Sequence, residues 1–482
     1  MTVTRPRVPA LTPRRLPVPA PLLSLVLVGI LYAVAQLVIV SPWTGIGWDE
    51  TVYASQYAAH APPAVFSAPR ARGVPLLVAP VVAVTDSVPA LRLYLTAVSS
   101  LALVGAFAVW LRVRSGPWVP LAALLFASCW LSLFYGNEAM PNLYVALGAV
   151  AATGFFVLAA RTGSAAALTG LAAAFSVVSL MRPSDAVVAA APLGVAALFT
   201  RRRLPLLAAV AVGLAVGWGQ WLAEAVTSYG GIAERMRAAE GANLTGLTLS
   251  VAEHARALDG PSLCRFGTPC GDVSPVALIW WLAIPAMAAL GVWWAWRRHR
   301  AAPVALAAVT GLAVALPYLF YVDYAAPRFL MPAYALLALP VAEAAIGLAR
   351  TRGPLAALAA AGVLAHLALQ GAYAHRMAGN ARETREEIRL AGEELRRLGV
   401  RPPCLVYGQS GVQLGYQLGC RSHGVMQRFG ARPPARVRQA AAAGERVVLV
   451  HRSLPAPSYA RSWQERALAG DWKARFAPPG RP

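Results

Sequence analysis

The sequence predicts an α-helical polytopic membrane protein of about eleven transmembrane helices, followed by a small C-terminal α/β domain outside the cytoplasm. Three observations predict it. The chain is 58% hydrophobic and 13% charged over 482 residues, with a mean hydropathy of +0.54, whereas soluble domains are near a quarter charged. Apolar runs of bilayer-spanning length recur along it. Arginines gather in alternate connections between those runs, the pattern of cytoplasmic loops.

Residues 1–20 are basic and proline-rich, with Arg5, Arg7, Arg14 and Arg15, and read as a cytoplasmic N-terminal segment. The apolar run at 21–41 is longer than the core of a signal peptide, so it reads as an uncleaved first helix. Further spans are expected at 89–111, 117–136, 141–160, 165–181, 184–200, 204–226, 275–296, 302–321, 329–349 and 354–374, which makes 21–375 the transmembrane domain. The stretch from Gly73 to Val84 is apolar too, but it is short and carries Pro75 and Pro80. It is expected to re-enter or lie at the interface rather than cross. With eleven spans and an internal N-terminus, Arg112, Arg114, Arg161, Arg201–Arg203, Arg297, Arg298, Arg300, Arg350 and Arg352 all fall on the cytoplasmic side. A span at Gly73–Val84 would break that pattern.

The net charge of +22 is almost all arginine. Arginine at the ends of apolar runs anchors a chain beside anionic lipid, so no nucleic-acid partner is expected. After Ala374 the character changes. Residues 376–482 carry 19 basic and 8 acidic side chains and read as the α/β domain. The stretch AGNARETREEIRLAGEELRRLG predicts an amphipathic helix with Ile388, Leu395 and Leu398 on one side. Short strands are expected near 403–407 and 446–450, with a helix near 409–418.

Five cysteines agree with an oxidising exterior. Cys264 and Cys270 share a long outer loop, and Cys404 and Cys420 start two candidate adjacent strands; each pair is expected to form a disulfide. Cys129 falls within a span. No His or Cys cluster has zinc spacing, and whether a divalent metal takes part is left open.

The outer loops hold the ionisable residues that an apolar chain would otherwise avoid. They carry Trp48-Asp49-Glu50, Tyr135-Gly136-Asn137-Glu138, Arg182-Pro183-Ser184-Asp185, and Tyr321-Val322-Asp323-Tyr324 followed by Arg328. Such residues at the membrane mark a functional site by default.

The segment WDETVYASQY (48–57), placed after the first helix, resembles the DE-x-x-Y region of the GT-C glycosyltransferases, with protein O-mannosyltransferases and lipid A aminoarabinose transferases nearest in pattern. SAPRARGVPLLVAP (67–80), MRPSD (181–185) and RFLMPAYALLALP (328–340) extend the resemblance over about residues 20 to 350. It departs where Arg72-Gly73-Val74-Pro75-Leu76 replaces the usual Lys-Pro-Pro-Leu or His-Pro-Pro-Leu step. The resemblance implies an inverting transfer of a sugar from a polyprenyl-phosphate carrier to an acceptor hydroxyl on the outer face of the plasma membrane. The acceptor is a protein, a lipid or a polysaccharide. The lipid-linked sugar is the cofactor-like donor. The resemblance places Asp49 as the base that takes the acceptor's proton, with Glu50 in support. Chemistry adds cations for the leaving phosphate: Arg72 and Arg328 first, Arg70 and Arg182 beside them.

Plainer readings stand next to several of these. Glu50 either orients Asp49, binds the acceptor or is simply solvated. Tyr53 either bonds near Asp49 or belongs to an interfacial belt. Asn137 and Glu138 either line the site or sit at a helix end. Asp185 either serves the site or pairs with Arg182 across i, i+3. Asp323 sits beside Arg328. The alternative function is transport of a lipid-linked sugar. Against it stand the absence of a repeat between halves and the placing of charge at the outer lip rather than mid-helix.

Overall fold

The computed structural model describes residues 20–243, 245–265, 270–351 and 353–478. The arginines of segment 1–19 and Arg352, used above to orient the chain, lie outside them.

Every apolar run expected to cross is helical. α1 (Ala20–Ala35) ends in a π-turn over Gln36–Val40. Two short helices, α2 (Trp48–Ala54) and α3 (Gly73–Val82), fill the first connection. Ten residues rise about 15 Å, half the hydrocarbon thickness, so α3 is too short to cross. α4 (Val88–Val113) starts where the Ser87 side chain accepts from the amide of Ala90 at 3.3 Å, an N-cap. α5 (Trp118–Ala127) and α6 (Trp130–Gly136) form a pair bent by 71° at the break between them. The amide of Trp130, released by that break, donates to Gln370 Oε1 at 3.0 Å, as backbone at membrane depth requires. α7 (Pro141–Thr162), α8 (Ala165–Met181), α9 (Pro183–Leu198) and α10 (Arg203–Ser228) follow. The loop after α10 holds α11 (Ile232–Asn243), α12 (Val251–Arg256) and strand β1 (Cys264–Arg265).

α13 (Pro275–Arg297) and α14 (Ala301–Phe320) lead to β2 (Tyr324–Ala325), which pairs antiparallel with β1. A 3₁₀ turn over Pro327–Leu330 opens α15 (Met331–Ala349). Gly291 of α13 lies so close to α15 that a Cβ there would stand 1.8 Å from the carbonyl of Pro340, the close backbone approach that small residues permit between membrane helices. Among the described residues, eight helices are long and apolar enough to cross a membrane, or nine with the bent pair. α8 and α9 are apolar but shorter. Exposed side chains such as Leu23, Leu27, Ile30, Leu101 and Val212 clothe the bundle, as a lipid-facing surface requires. At one end, buried Glu343 is clasped between Arg114 and Arg300, tying α4, α14 and α15.

α16 runs unbroken for 44 residues, Pro354–Arg397. The change from apolar span to charged amphipathic helix therefore happens inside one helix, and the boundary drawn at 375/376 has no break in the backbone. No proline interrupts it after its first turn, and interior glycines cost only about 1 kcal/mol each. Its far half packs on a five-stranded sheet of order β4-β3-β5-β7-β6. β3 (Cys404–Gly408), β4 (Arg421–Gly424) and β5 (Arg446–His451) are parallel, while β7 (Lys473–Phe476) and β6 (Gln464–Ala467) are antiparallel. α17 (Gly411–Leu418) and α18 (Ala435–Ala442) are the crossovers. Side chains alternate across β3 with period two. Cys404 and Val406 meet Ile388, Ala391 and Leu395 of α16, whereas Leu405 and Tyr407 meet Val437 and Ala440 of α18. Disulfides join Cys264 to Cys270 and Cys404 to Cys420; Cys129 is free and buried.

Candidate active site

The site is built around α2. Its first turn carries Asp49 and Glu50, where the helix dipole favours carboxylates. Successive helical residues point about 100° apart, so the two side chains cannot share a direction. Glu50 turns inward and is 1% exposed. Its Oε2 accepts from the Gly47 amide at 2.8 Å, capping the helix, and its Oε1 accepts from the Ala139 amide at 2.8 Å. Fully buried Arg92 of α4 grips both carboxylate oxygens at 2.5 and 2.8 Å. Arg92 also donates to the carbonyls of Asn137 and Gly45. Arg385 of α16 lies 3.5 Å from Glu50 and bonds Glu138 at 2.6 Å. Glu50 is thus neither solvated nor aimed at the cavity described below: it locks four chain segments together. Burial alone would push its carboxyl up, but Arg92 and Arg385 hold it below the usual carboxylate range. Glu138 goes the other way: burial and neighbouring Glu50 outweigh Arg385 and push it up.

Asp49 turns outward into a cavity of about 580 Å³. Its Oδ1 accepts from Arg70 Nη2 at 2.6 Å and its Oδ2 from Arg328 Nη2 at 3.1 Å. Burial would raise the Asp49 carboxyl; the guanidiniums of Arg70 and Arg328 overturn that and hold it low. Arg70 lies 4.7 Å over the ring of Tyr53, which also lines the cavity. Arg328 is further held by the carbonyl of Ser262 at 3.3 Å. Arg182 lines the cavity as well and pairs with Asp185 at 3.4 Å across i, i+3. Asp185 in turn accepts from the Tyr318 hydroxyl, so its role is to hold Arg182 and Tyr318.

The remaining expected residues lie elsewhere. Arg72 is off the cavity, bonded to Glu224 and to Gln56 at 2.8 Å and stacked over Phe66. Asn137 and Glu138 are buried behind α2, and Asp323 is exposed and bonded to Thr248 at 3.2 Å. Other residues shape the cavity without having been expected from sequence. Fully buried Arg235 donates to the carbonyls of Ala68 and Arg70 at 3.1 and 3.0 Å, so it fixes the segment that presents Arg70. Arg265, next to the Cys264–Cys270 bridge, lines the cavity, and its Nε is buried with no hydrogen-bond partner. Among the described residues, no three His, Cys, Asp or Glu side chains come together to hold a metal ion.

The C-terminal domain closes one wall, with Val412, His423, Gly424 and Met426 lining the cavity. Trp48, beside Asp49, packs on Gly424 so tightly that a Cβ there would stand 1.9 Å from the indole ring. Gly424→Val is expected to push Trp48 and α2 aside. In a membrane transfer assay this should lower the turnover rate at least ten-fold while the protein stays folded by far-ultraviolet circular dichroism.

No family model and no curated protein matches the chain. Solved structures do. ArnT from Cupriavidus metallidurans bound to undecaprenyl phosphate superposes with a TM-score of 0.61 at 14% identity, covering 95% of this chain and 99% of ArnT. The oligosaccharyltransferase of Archaeoglobus fulgidus, tethered to an acceptor peptide, gives 0.53 at 13% identity, covering 89% of this chain and 69% of that one. The archaeal oligosaccharyltransferase AglB from Archaeoglobus fulgidus, in complex with an inhibitory peptide and a dolichol-phosphate, gives 0.51 at 14% identity, covering 88% of this chain and 69% of that one. The fold is therefore the GT-C fold, as the DE-x-x-Y resemblance implies.

Proposed function

We propose that the chain is an inverting glycosyltransferase that moves a sugar from a polyprenyl-phosphate carrier to an acceptor hydroxyl. The observation that carries this reading is Asp49, a carboxylate held between Arg70 and Arg328 in a cavity at one end of an apolar helical bundle. Arginine placement supports an orientation with that end outside the cytoplasm, together with the C-terminal domain, and the N-terminus inside. The structural neighbours bound to undecaprenyl phosphate and dolichol-phosphate support the carrier class.

The chemistry needs two things at one point: a base for the acceptor and cations for the leaving group. The acceptor oxygen attacks the anomeric carbon as its proton passes to Asp49. The bond from that carbon to the phosphate oxygen breaks, and polyprenyl phosphate leaves with one more negative charge. A single displacement inverts the configuration. Arg70 and Arg328 receive the developing charge, because preorganised guanidiniums in a low-dielectric site stabilise it well. Arg182 and Arg265 line the same cavity and add to its positive field.

The arginines and Asp49 are coupled. In the resting site the guanidiniums hold the carboxylate ionised but occupied. A bound phosphate competes for them. Burial, no longer opposed, then raises the proton affinity of Asp49 when the acceptor must be deprotonated.

The test is undecaprenyl phosphate binding to purified protein in nanodiscs. Binding is expected for the wild type, and Arg70→Ala and Arg328→Ala should each weaken it about ten- to a hundred-fold, the loss of one charged hydrogen-bonded partner of about 1.5–3 kcal/mol. Absence of binding, or variants that bind like wild type, would sink the carrier assignment. Movement of a labelled lipid-linked sugar across the bilayer with no transfer would favour transport instead.

A further inference from the structure

α7 begins at the cavity floor, with Pro141 in its first turn and Asn142 next. Asn142 is 1% exposed and lines the cavity that holds Asp49. Neither its Oδ1 nor its Nδ2 has a hydrogen-bond partner. A buried amide normally finds partners, and one left without them is a standing cost. A side chain in this state in the wall of a cavity is explained if a ligand, with a small turn of the amide, supplies the missing partners.

The chemistry of those partners can be narrowed. An amide presents a donor and an acceptor together, whichever way it is turned. A phosphate group offers acceptors only, and the cavity already meets phosphate with guanidiniums. A polyprenyl chain offers neither donor nor acceptor. A sugar hydroxyl offers both. Other residues lining the cavity fit a pyranose or furanose ring: Met140 and Met181 give apolar surface, and Ser184 at the start of α9 adds a hydroxyl. Binding sites of this kind combine apolar walls with few placed polar groups.

We infer that Asn142 reads a hydroxyl of the sugar carried by the donor, and that the cavity between the starts of α7 and α9 is its glycosyl subsite. This rests on the carrier reading given above. It divides the cavity by chemistry: arginines around Asp49 take the phosphate, and Asn142 takes the sugar.

The experiment separates the two. Wild type, Asn142→Leu and Asn142→Ser, reconstituted in nanodiscs, are titrated with bare undecaprenyl phosphate and with undecaprenyl phosphate carrying glucose or mannose. For at least one sugar the wild type should bind the sugar-bearing lipid more tightly than the bare one. Asn142→Leu should keep the bare-lipid affinity and lose that gain, by about ten- to a hundred-fold, since buried groups built to bond a hydroxyl discriminate strongly. Asn142→Ser, which keeps a donor and an acceptor, should retain part of the gain. Asn142→Leu should also raise Tm without ligand, because it removes an unsatisfied buried amide; a purely structural asparagine would lower it. The subsite is overturned if the wild type shows no gain from either sugar. It is overturned too if Asn142→Leu keeps the gain, or if bare and sugar-bearing lipids weaken together. Failure of the wild type to bind bare undecaprenyl phosphate refutes instead the carrier reading beneath it, and the subsite with it.

Discussion

Asp49→Asn is expected to lower sugar transfer by about a hundred- to ten-thousand-fold, the range of a lost general base, while undecaprenyl phosphate binds as well or better. The two halves of this result come from the same geometry. Asparagine keeps the shape of the side chain but cannot take the acceptor's proton. It also cannot hold Arg70 and Arg328 as a carboxylate does at 2.6 and 3.1 Å, so both guanidiniums are freer for phosphate. A carboxylate whose role was only to position the arginines would show the reverse, weaker lipid binding with turnover preserved at saturating donor. The pH profile adds a sign. In the free protein Asp49 sits below its ordinary range, because Arg70 and Arg328 outweigh burial. A carboxylate lowered in this way stays ionised until the pH falls through its own depressed value, so kcat/KM should show no acid limb from Asp49 above about pH 4. Once phosphate diverts the arginines, burial lifts the carboxyl, and the acid limb of kcat should stand at higher pH than that of kcat/KM. Coincident limbs would mean that donor binding does not release Asp49.

The sequence made the membrane spans readable because the bilayer imposes one length and one polarity on each. Asp49 was readable for a related reason: a carboxylate pair at the lip of an apolar run is too costly to be incidental. The disulfide pairs followed from their placement in outer segments. What the sequence hid were the partners that arrive from far along the chain. Arg92 lies inside an apolar run, a signal of function or burial in its own right, yet nothing local says that Glu50, 42 residues away, receives it. Arg385 sits in a helix full of alternating charges, where an inward-facing arginine looks like its solvated neighbours. Arg72 matched a family position by spacing, but Glu224, 152 residues on, draws it off the cavity. The continuity of α16 was masked by a composition change, which reports a change of surroundings and not a change of backbone.

The pair formed by Glu50 and Arg92 leads to the second large effect. Glu50→Ala or Arg92→Leu should destabilise the protein by about 3–5 kcal/mol, the cost of leaving one member of a buried ion pair alone. The double replacement Glu50→Leu with Arg92→Leu should cost less than the sum of the two, because neither charge is then stranded. Thermal unfolding in detergent measures all three. Stability and activity should part company in the double variant. Its bundle regains an apolar contact, but the Gly47 and Ala139 amides lose their acceptor, and α2 loses the bond that fixes its first turn. Asp49 is carried on that turn, and a misplacement of about 1 Å can cost about a hundred-fold in rate. The double variant should therefore be folded, bind undecaprenyl phosphate and transfer poorly. If it transfers at the wild-type rate, Glu50 is only a stabilising residue. If its loss equals the sum of the two single losses, the two charges are not each other's main partners. On the proposed reading, the adjacent carboxylates at the head of α2 have separable roles: Asp49 reaches the chemistry, and Glu50 fixes the angle from which it does so.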